Sequence, residues 1–455
     1  MQHLLIRSLA MGVVLILVFL AIHRVLQDPR AYGETLGRIS MNYERIGNWD
    51  EHLVGRTHDP FRPVSNDSLL RWDASIYVCI RDGMYSKDSD CKPEKQAAFF
   101  PLHPLVWRAT GANAIGISLI YFLLFALGLG LLSWLIFDPG WPRLALLITF
   151  PTVIVYGIPY SESLFFLTGV LMAWGLLKKR YALYFIGAFL LATVRSASVI
   201  VLIAVVLAEL LHSKGTFFMR SRGIVLRALP LILGYFSVII FQRVRSGSWT
   251  AMMDARQFWD DGIRPIETIY DWSMEGFGLS TFTLAFVCLP ALVYSLWIAG
   301  KWLLHRTTVP EDVRSQLLTL SAFYITGILL FTVLTSGGSM HSLHRYIISS
   351  PFFYTSLFIL LSRSAKWHIG YLLAYLVLGV LALTWLLYII PFGSDKWDFL
   401  FAGMYLSVLS AASIILDPRI NRLVMLAATL FLVVLNLIWA TYLMNCFVVD
   451  SWIFL

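Results

Sequence analysis

Long apolar segments alternate with short polar ones along almost the whole chain. A helix needs ~20 consecutive apolar residues to cross the hydrocarbon layer, so this pattern predicts about 13 membrane-spanning helices. Several segments are shorter and are expected to borrow flanking residues or to meet partway as broken helices. The predicted spans are 4–26, 112–137, 144–158, 162–177, 181–194, 197–211, 224–242, 280–300, 317–335, 346–361, 369–390, 399–416 and 423–446.

The polar segments are unequal in length, and the first is by far the longest. We expect a single transmembrane domain over 1–455, divided into three parts. Region 27–111 is a non-cytosolic loop with a re-entrant segment, 112–211 holds the core spans, and 212–455 holds further spans. Within the first part, residues 97–111 are apolar but short and contain two prolines, which indicates a half-helix or an interfacial segment.

Composition excludes a soluble protein. The chain is 58% hydrophobic and 14% charged, whereas about a quarter of the residues of a soluble domain are charged. The expected fold is therefore an all-α polytopic membrane protein. The net charge of +8 comes largely from Lys and Arg in short loops. The positions of these residues predict the membrane topology, with a cytosolic N-terminus and the long first loop outside the cytosol. The first apolar segment is expected to be a retained signal anchor. The charge does not indicate nucleic acid as a partner.

Two ionisable residues lie between apolar segments. Glu162 stands in PYSESLFF and Arg195 in TVRS. A charge at membrane depth is costly, so such residues are usually paired or functional. Glu162 is one candidate partner for Arg195, and an anionic ligand is another, since the guanidinium fork suits phosphate oxygens. The alternative for Glu162 is a shallow loop that faces water.

The long first loop carries a second group of candidates. Asp73 follows Trp72 and precedes a helical pattern, which places its carboxylate near a helix N-terminus. It could be a catalytic carboxylate or only the N-cap of that helix. His103 lies between Pro101 and Pro104, where it could face a ligand or be merely interfacial.

Residues 337–346 gather three potentially cationic side chains at the entrance of a span: His341, His344 and Arg345. They could bind a phosphate, or they could belong to a wet interfacial loop. A metal site is a weaker hypothesis, because no Cys or acidic residue accompanies the two histidines. Asp260 and Asp261, beside an aromatic residue in 257–265, could line a sugar site or an exposed loop.

The cysteines and the absence of common catalytic motifs restrict the possible chemistry. Cys79 and Cys91 share the long loop and could pair if it faces an oxidising compartment, whereas Cys288 and Cys446 lie in apolar segments. The sequence has no Walker-type loop, GxSxG or HExxH. Nothing in it therefore points to ATP, a serine nucleophile or a zinc protease.

Four motifs occur in an order that resembles the PIG-V family, the mannosyltransferases that add the second mannose of GPI anchors, and its bacterial relatives. They are Trp72-Asp73 with the later Gly83 and Tyr85, then AFFPLHP at 98–104, PYSESLFF at 159–166, and the TxRS of 193–196. The chain departs from the family pattern in a longer stretch between Gly83 and AFFPLHP. Beyond residue 200 the similarity rests on hydropathy and on His344-Arg345-Tyr346.

The resemblance implies a GT-C glycosyltransferase, by family a mannosyltransferase, which takes its sugar from a polyprenyl-phosphate donor and inverts the anomeric centre. It implies Asp73 as the catalytic base. The donor phosphate or substrate is expected to contact Arg195, His344, Arg345, His103, Glu162 and Trp72.

No cofactor or metal is expected, because the lipid-linked donor is itself a substrate. The other expected partners are a lipid or glycan acceptor and the membrane lipids. We expect a periplasmic or lumenal site, in a bacterial inner membrane rather than the endoplasmic reticulum. Two other functions stay open: a transporter or flippase with Glu162 and Arg195 in its path, and a non-catalytic scaffold subunit, in which Asp73→Asn would be tolerated.

Overall fold

The protein is built from helices packed side by side. The computed structural model describes residues 2–28, 62–85, 96–213, 216–256, 265–266, 269, 279–305, 312–340, 342–364, 374, 377–381 and 421–448, and these ranges contain no β-strand. The helices are α1 (Gln2–Val25), α2 (Asp73–Gly83), α3 (Leu102–Thr110), α4 (Ala114–Leu135), α5 (Gly140–Thr149), α6 (Glu162–Leu177), α7 (Tyr181–Val194), α8 (Ser198–His212), α9 (Phe217–Ser246), α10 (Ala251–Arg256), α11 (Leu279–Thr283, then a π-helical turn at Leu284–Cys288, then Leu289–His305), α12 (Val313–Thr335), α13 (Leu343–Ile348), α14 (Pro351–Ser364) and α15 (Arg422–Val448).

Six of these helices are long and apolar enough to cross a bilayer: α1, α4, α9, α11, α12 and α15. Three shorter apolar helices, α6, α7 and α8, lie between them in the chain. Large apolar side chains such as Leu17 on α1 (61% exposed) and Leu296 on α11 (64% exposed) point away from the protein, where lipid would cover them. The prediction of an all-α polytopic membrane protein is confirmed.

The helical hairpin α6–α7 lies at the centre of the bundle and packs against α4, α9 and α14. Glycines let its two helices approach closely. A Cβ on Gly175 would lie 2.3 Å from the backbone nitrogen of Tyr184, and one on Gly187 would lie 2.4 Å from that of Met172. Small residues at such contacts are how helices gain packing area in a membrane, where lipid competes equally for apolar groups.

Two predicted spans are broken helices. Segment 144–158 is divided into α5 and a 3₁₀ helix at Pro151–Gly157, and segment 346–361 into α13 and α14, which begins with Pro351. Proline supplies no backbone N–H to continue a helix. The two breaks meet where the Tyr156 hydroxyl donates a hydrogen bond of 2.5 Å to the carbonyl of Ser349. Non-helical backbone at this depth is tolerated because protein surrounds it.

The remaining predicted spans within the described ranges agree with observed helices to within several residues, and 162–177 and 181–194 agree at both ends. The largest difference is at 224–242, which the structure extends to Phe217–Ser246. The predicted spans 369–390 and 399–416 lie largely or wholly outside the described residues, so the total of about 13 stays a prediction.

The segment before the first core span forms two short helices, α2 and α3, that pack on each other. At 9 residues, α3 is too short to cross the membrane, so 97–111 is not a full span, and it stays predicted as a half-helix or an interfacial segment. The C-terminal part of α9 is hydrogen-bonded to the residues that follow α2 and precede α3. Gln242 donates a hydrogen bond of 2.8 Å to the carbonyl of Ala97, and Arg245 one of 2.9 Å to that of Met84.

Candidate functional site

Several elements end or begin at the same end of the bundle. Helix α6 starts with Glu162, α7 ends one residue before Arg195, and α12 ends shortly before α13, which carries Arg345. Helix α2, which starts with Asp73, packs over this end together with α3. Four ionisable residues that are far apart in the sequence thereby meet in one place.

The four side chains form a continuous chain of ion pairs, which we call the quartet: Asp73, Arg345, Glu162 and Arg195. Arg345 donates from Nη2 to Oδ2 of Asp73 (2.7 Å) and from Nε to Oε1 of Glu162 (2.5 Å). Arg195 pairs through Nη1 with the same Oε1. Two carboxylates therefore balance two guanidinium groups, which is how charges are accommodated away from water.

Burial divides the quartet into a floor and a rim. Glu162 and Arg345 form the floor, with side chains 1% and 3% exposed. Asp73 and Arg195 form the rim, at 15% and 14%. The two rim groups carry opposite charge and, among the described residues, are joined through the floor, so a ligand would meet a carboxylate and a guanidinium together.

Aromatic rings enclose the cations. The Arg345 guanidinium carbon lies 4.5 Å from the centroid of the Tyr160 ring, and that of Arg195 lies 5.2 Å from the centroid of Tyr346. Each ring offers its negative face to a cation, which partly replaces lost hydration. Phe447 at the end of α15 packs edge-on against Tyr160, with ring centroids 6.0 Å apart.

Two unusual backbone conformations lead into the quartet. Trp72 (φ 50°) directly precedes Asp73, and Ser342 (φ 54°) precedes α13 and Arg345. A left-handed conformation is unfavourable for residues with a Cβ and costs about 1–3 kcal/mol at such sites, so surrounding structure must hold it. The Trp72 carbonyl accepts a 2.6 Å hydrogen bond from the Ser75 hydroxyl. Strained backbone beside charged side chains is typical of functional sites.

His103 lies behind the quartet and is fully buried. Its Nδ1 is 2.7 Å from the Tyr121 hydroxyl, and its ring packs edge-on against Tyr77, with centroids 4.2 Å apart. Burial lowers the pKa of His103 to about 3, so the imidazole is neutral at physiological pH. Tyr77 connects it to the site, since the Tyr77 hydroxyl donates to the Ser161 hydroxyl (2.9 Å), next to Glu162.

His344 is also buried, and its Nδ1 lies 3.0 Å from the hydroxyl of Ser280 on α11. Because His344 and Arg345 are both buried, the interpretation of 337–346 as a wet loop is wrong for these two residues. His341 lies outside the described residues, as do Asp260 and Asp261. Within the described ranges, no group of three or more His, Cys, Asp or Glu side chains could hold a metal ion.

The structure decides two further alternatives from the sequence, at Asp73 and Glu162, and describes two of the cysteines. Asp73 is the first residue of α2 rather than its N-cap, and its carboxylate bonds to Arg345 instead of the helix backbone. Glu162 is buried, so the prediction of a water-facing loop is wrong, whereas its pairing with Arg195 is confirmed. Cys79 is disulfide-bonded, and Cys91 lies outside the described residues. Cys288 is a buried free thiol.

Sequence reasoning did not single out three residues that support the site: Tyr160, Tyr77 and Ser280. Tyr160 had a visible signal, since it stands two residues before Glu162 within the PYSESLFF motif. Ser280 and Tyr77 had none, because their partners are 64 and 84 residues away in the chain.

A second buried carboxylate lies at the opposite end of the bundle. Glu209, near the end of α8, pairs with Arg227 (2.5 Å) and accepts hydrogen bonds from Gln316 (2.7 Å) and Ser213 (2.8 Å). Both of its oxygens are thus satisfied. No such donor reaches Oε2 of Glu162 from the described residues, although that atom is buried.

Comparison with known proteins gives no match: no family model, no curated protein and no solved structure matches this chain. The functional argument therefore rests on the quartet and its surroundings.

Proposed function

We propose that the protein is a GT-C glycosyltransferase that moves a sugar, a mannose by its resemblance to the PIG-V family, from a polyprenyl-phosphate donor to a hydroxyl of a lipid or glycan acceptor, with inversion. One observation carries the proposal. A partly exposed carboxylate, Asp73, and a partly exposed guanidinium, Arg195, are joined through buried partners at one end of a membrane bundle.

The chemistry needs a base and a group that stabilises the leaving phosphate. The acceptor hydroxyl oxygen forms a bond to the anomeric carbon while the bond from that carbon to the phosphate oxygen breaks. The bonding electrons leave with the phosphate, and the hydroxyl proton passes to Asp73. Arg345 occupies Oδ2 of Asp73, and no donor in the described ranges occupies Oδ1, which is the oxygen we assign to the acceptor.

Arg195 is the candidate contact for the donor phosphate. It uses one guanidinium nitrogen for Glu162, and the described residues place no other hydrogen bond on it. Its remaining N–H groups suit the phosphate oxygens on which negative charge develops. Arg345 is more enclosed and already bonds two carboxylates, so we assign it mainly to holding Asp73 in place, with His344 beside it.

Charge and redox chemistry favour a periplasmic or lumenal site. The short turns at the end of the bundle opposite the quartet are rich in basic residues, including Lys178 to Arg180 in the α6–α7 turn and Arg220 and Arg222 at the start of α9. Such residues favour the cytosolic side. The disulfide at Cys79 lies on α2, the helix that carries Asp73, and disulfides persist in oxidising compartments.

The decisive experiment measures transfer of radiolabelled mannose from a polyprenyl-phosphate donor to lipid acceptors by the purified protein. We expect Asp73→Asn to abolish transfer, because an amide cannot accept the proton, while the protein still folds and binds donor. Asp82→Asn is the matched control: this carboxylate lies on the same helix, is exposed and pairs only with Arg81 among the described residues.

Near-normal transfer by a folded Asp73→Asn protein would contradict the base assignment. If the wild type transfers no sugar but moves a lipid-linked sugar across reconstituted vesicles, the transporter hypothesis replaces the proposed function.

A further inference from the structure

One fully buried oxygen of the quartet accepts no hydrogen bond from the described residues. Oε1 of Glu162 receives both guanidinium groups, whereas Oε2 is buried and accepts no hydrogen bond from the described residues. A buried carboxylate oxygen without a donor is unfavourable, because the desolvation of a charged group is then uncompensated. Such an atom in a native structure calls for a partner that binds there.

Glu209 makes a useful comparison. It is also a buried glutamate paired with arginine, but the protein itself supplies donors to both of its oxygens. The fold can therefore satisfy a buried glutamate fully where the glutamate is structural. Oε2 of Glu162, which accepts no hydrogen bond from the described residues, distinguishes the quartet from the structural cluster around Glu209.

The charges nearby define the kind of donor that fits Oε2. Glu162 already lies against two guanidinium groups, and a third cation would be repelled by them. A neutral hydroxyl suits the position, since it donates a hydrogen bond without adding charge. A polyprenyl-phosphate sugar brings several hydroxyls to the place where its phosphate binds.

On the basis of the proposed function, we propose that Oε2 of Glu162 accepts a hydrogen bond from the hydroxyl on the sugar carbon next to the anomeric carbon of the donor. The phosphate is attached to the anomeric carbon and is assigned to Arg195, which itself bonds Glu162. The hydroxyl nearest the phosphate is therefore the one within reach of the same carboxylate.

This contact also has a kinetic signature. As the bond to phosphate breaks, positive charge develops at the anomeric carbon and makes the adjacent hydroxyl a stronger donor, so its hydrogen bond strengthens in the transition state. The contact should then act mainly on kcat rather than on KM. It makes Glu162 a residue that selects among sugars by the presence and configuration of that hydroxyl.

The test compares polyprenyl-phosphate mannose with its 2-deoxy analogue in the wild type and in Glu162→Asp. The aspartate keeps a carboxylate charge beside both arginines, but its side chain is one methylene shorter, so the free oxygen no longer reaches the sugar hydroxyl. In the wild type we expect the parent donor to exceed the deoxy donor in kcat by about 10- to 100-fold, the range of a hydrogen bond to a charged group. In Glu162→Asp the ratio should fall to within a few-fold.

Glu209→Asp is the matched control, because it shortens the other buried glutamate and should keep the wild-type ratio. The intrinsic reactivity of the deoxy sugar cancels when ratios are compared between variants. Thermal unfolding of each variant checks the fold, and the ratio is independent of the fraction of active protein.

An equal ratio in the wild type and Glu162→Asp would overturn this proposal and leave the proposed function standing. No transfer of either sugar by the wild type would overturn the proposed function and this proposal together.

Discussion

At the scale of single residues, Glu162 is the point on which the quartet depends. Its Oε1 receives both guanidinium groups, so removing its charge leaves Arg195 and Arg345 with one carboxylate between them. Removing Arg195 instead leaves Glu162 still paired with Arg345. The two members of the same ion pair therefore have unequal structural importance.

We predict that Glu162→Gln lowers the free energy of unfolding by about 3–5 kcal/mol, the cost of breaking a buried ion pair from one side. Arg195→Gln should cost clearly less, because a partly exposed group is lost and Glu162 keeps a cation. The double variant should be more stable than Glu162→Gln alone, since one unbalanced cation is gone.

Thermal unfolding of the four purified proteins in detergent measures this order. Equal destabilisation by the two single substitutions would contradict the central position of Glu162. Donor binding, measured on the same samples, should fall in Arg195→Gln even where stability is kept.

Much of the site was predictable at this scale, because charged residues stand out in an apolar sequence. Asp73, Glu162, Arg195 and Arg345 are each conspicuous for that reason. Their connection was not predictable beyond the Glu162–Arg195 pair. Arg345 lies 272 residues from Asp73 and 183 from Glu162, and no local pattern encodes a contact over that separation.

At the scale of helices, the α6–α7 hairpin determines whether Glu162 and Arg195 meet. Glu162 starts the first helix and Arg195 follows the second, so the spacing of the hairpin sets the distance between them. Gly187 permits that spacing, because a Cβ there would lie 2.4 Å from a backbone nitrogen of α6. Backbone atoms of a packed helix cannot move aside cheaply.

We predict that Gly187→Ala lowers the free energy of unfolding by about 1–3 kcal/mol, as overpacking does, and reduces transfer because the ion pair is displaced. Gly300→Ala on α11 is the control, since the structure places nothing within 4 Å of the added Cβ. It should be neutral or slightly stabilising. Thermal unfolding and the transfer assay are run side by side, and a loss of equal size in both variants would refute the packing argument.

Helices were easier to predict than their interruptions. Hydropathy located α6 and α7 to the residue, since a span is a local property of composition. The same signal gave 144–158 and 346–361 as short segments that could be broken helices, but it did not locate the breaks at Pro151 and Pro351. Hydropathy averages over a window and therefore does not register a single missing N–H.

At the scale of the whole molecule, the arrangement predicts opposite membrane sides for the quartet and for the basic turns. We predict that Asp67→Cys, on the exposed segment before α2, reacts with an impermeant thiol reagent from the periplasmic or lumenal side. Arg222→Cys, exposed on α9, should react only after the cytosolic side is opened.

The protein without added cysteine provides the background, which should be low at Cys79 and Cys288 because one is disulfide-bonded and the other buried. Reaction of both introduced cysteines from the same side would refute the topology.

Helix α8 is fastened at both of its ends. Beside its first turn Arg195 bonds Glu162 of α6, and in its last turn Glu209 bonds Arg227 of α9 and Gln316 of α12. Sliding α8 by one residue would shift these atoms by about 1.5 Å and break each contact. The helix thus behaves as a strut that resists shear against three neighbours. In a transporter that moves one group of helices against another, the boundary between the two groups would therefore have to lie away from α8. Catalysis requires only that the substrates bind to a rigid group of helices.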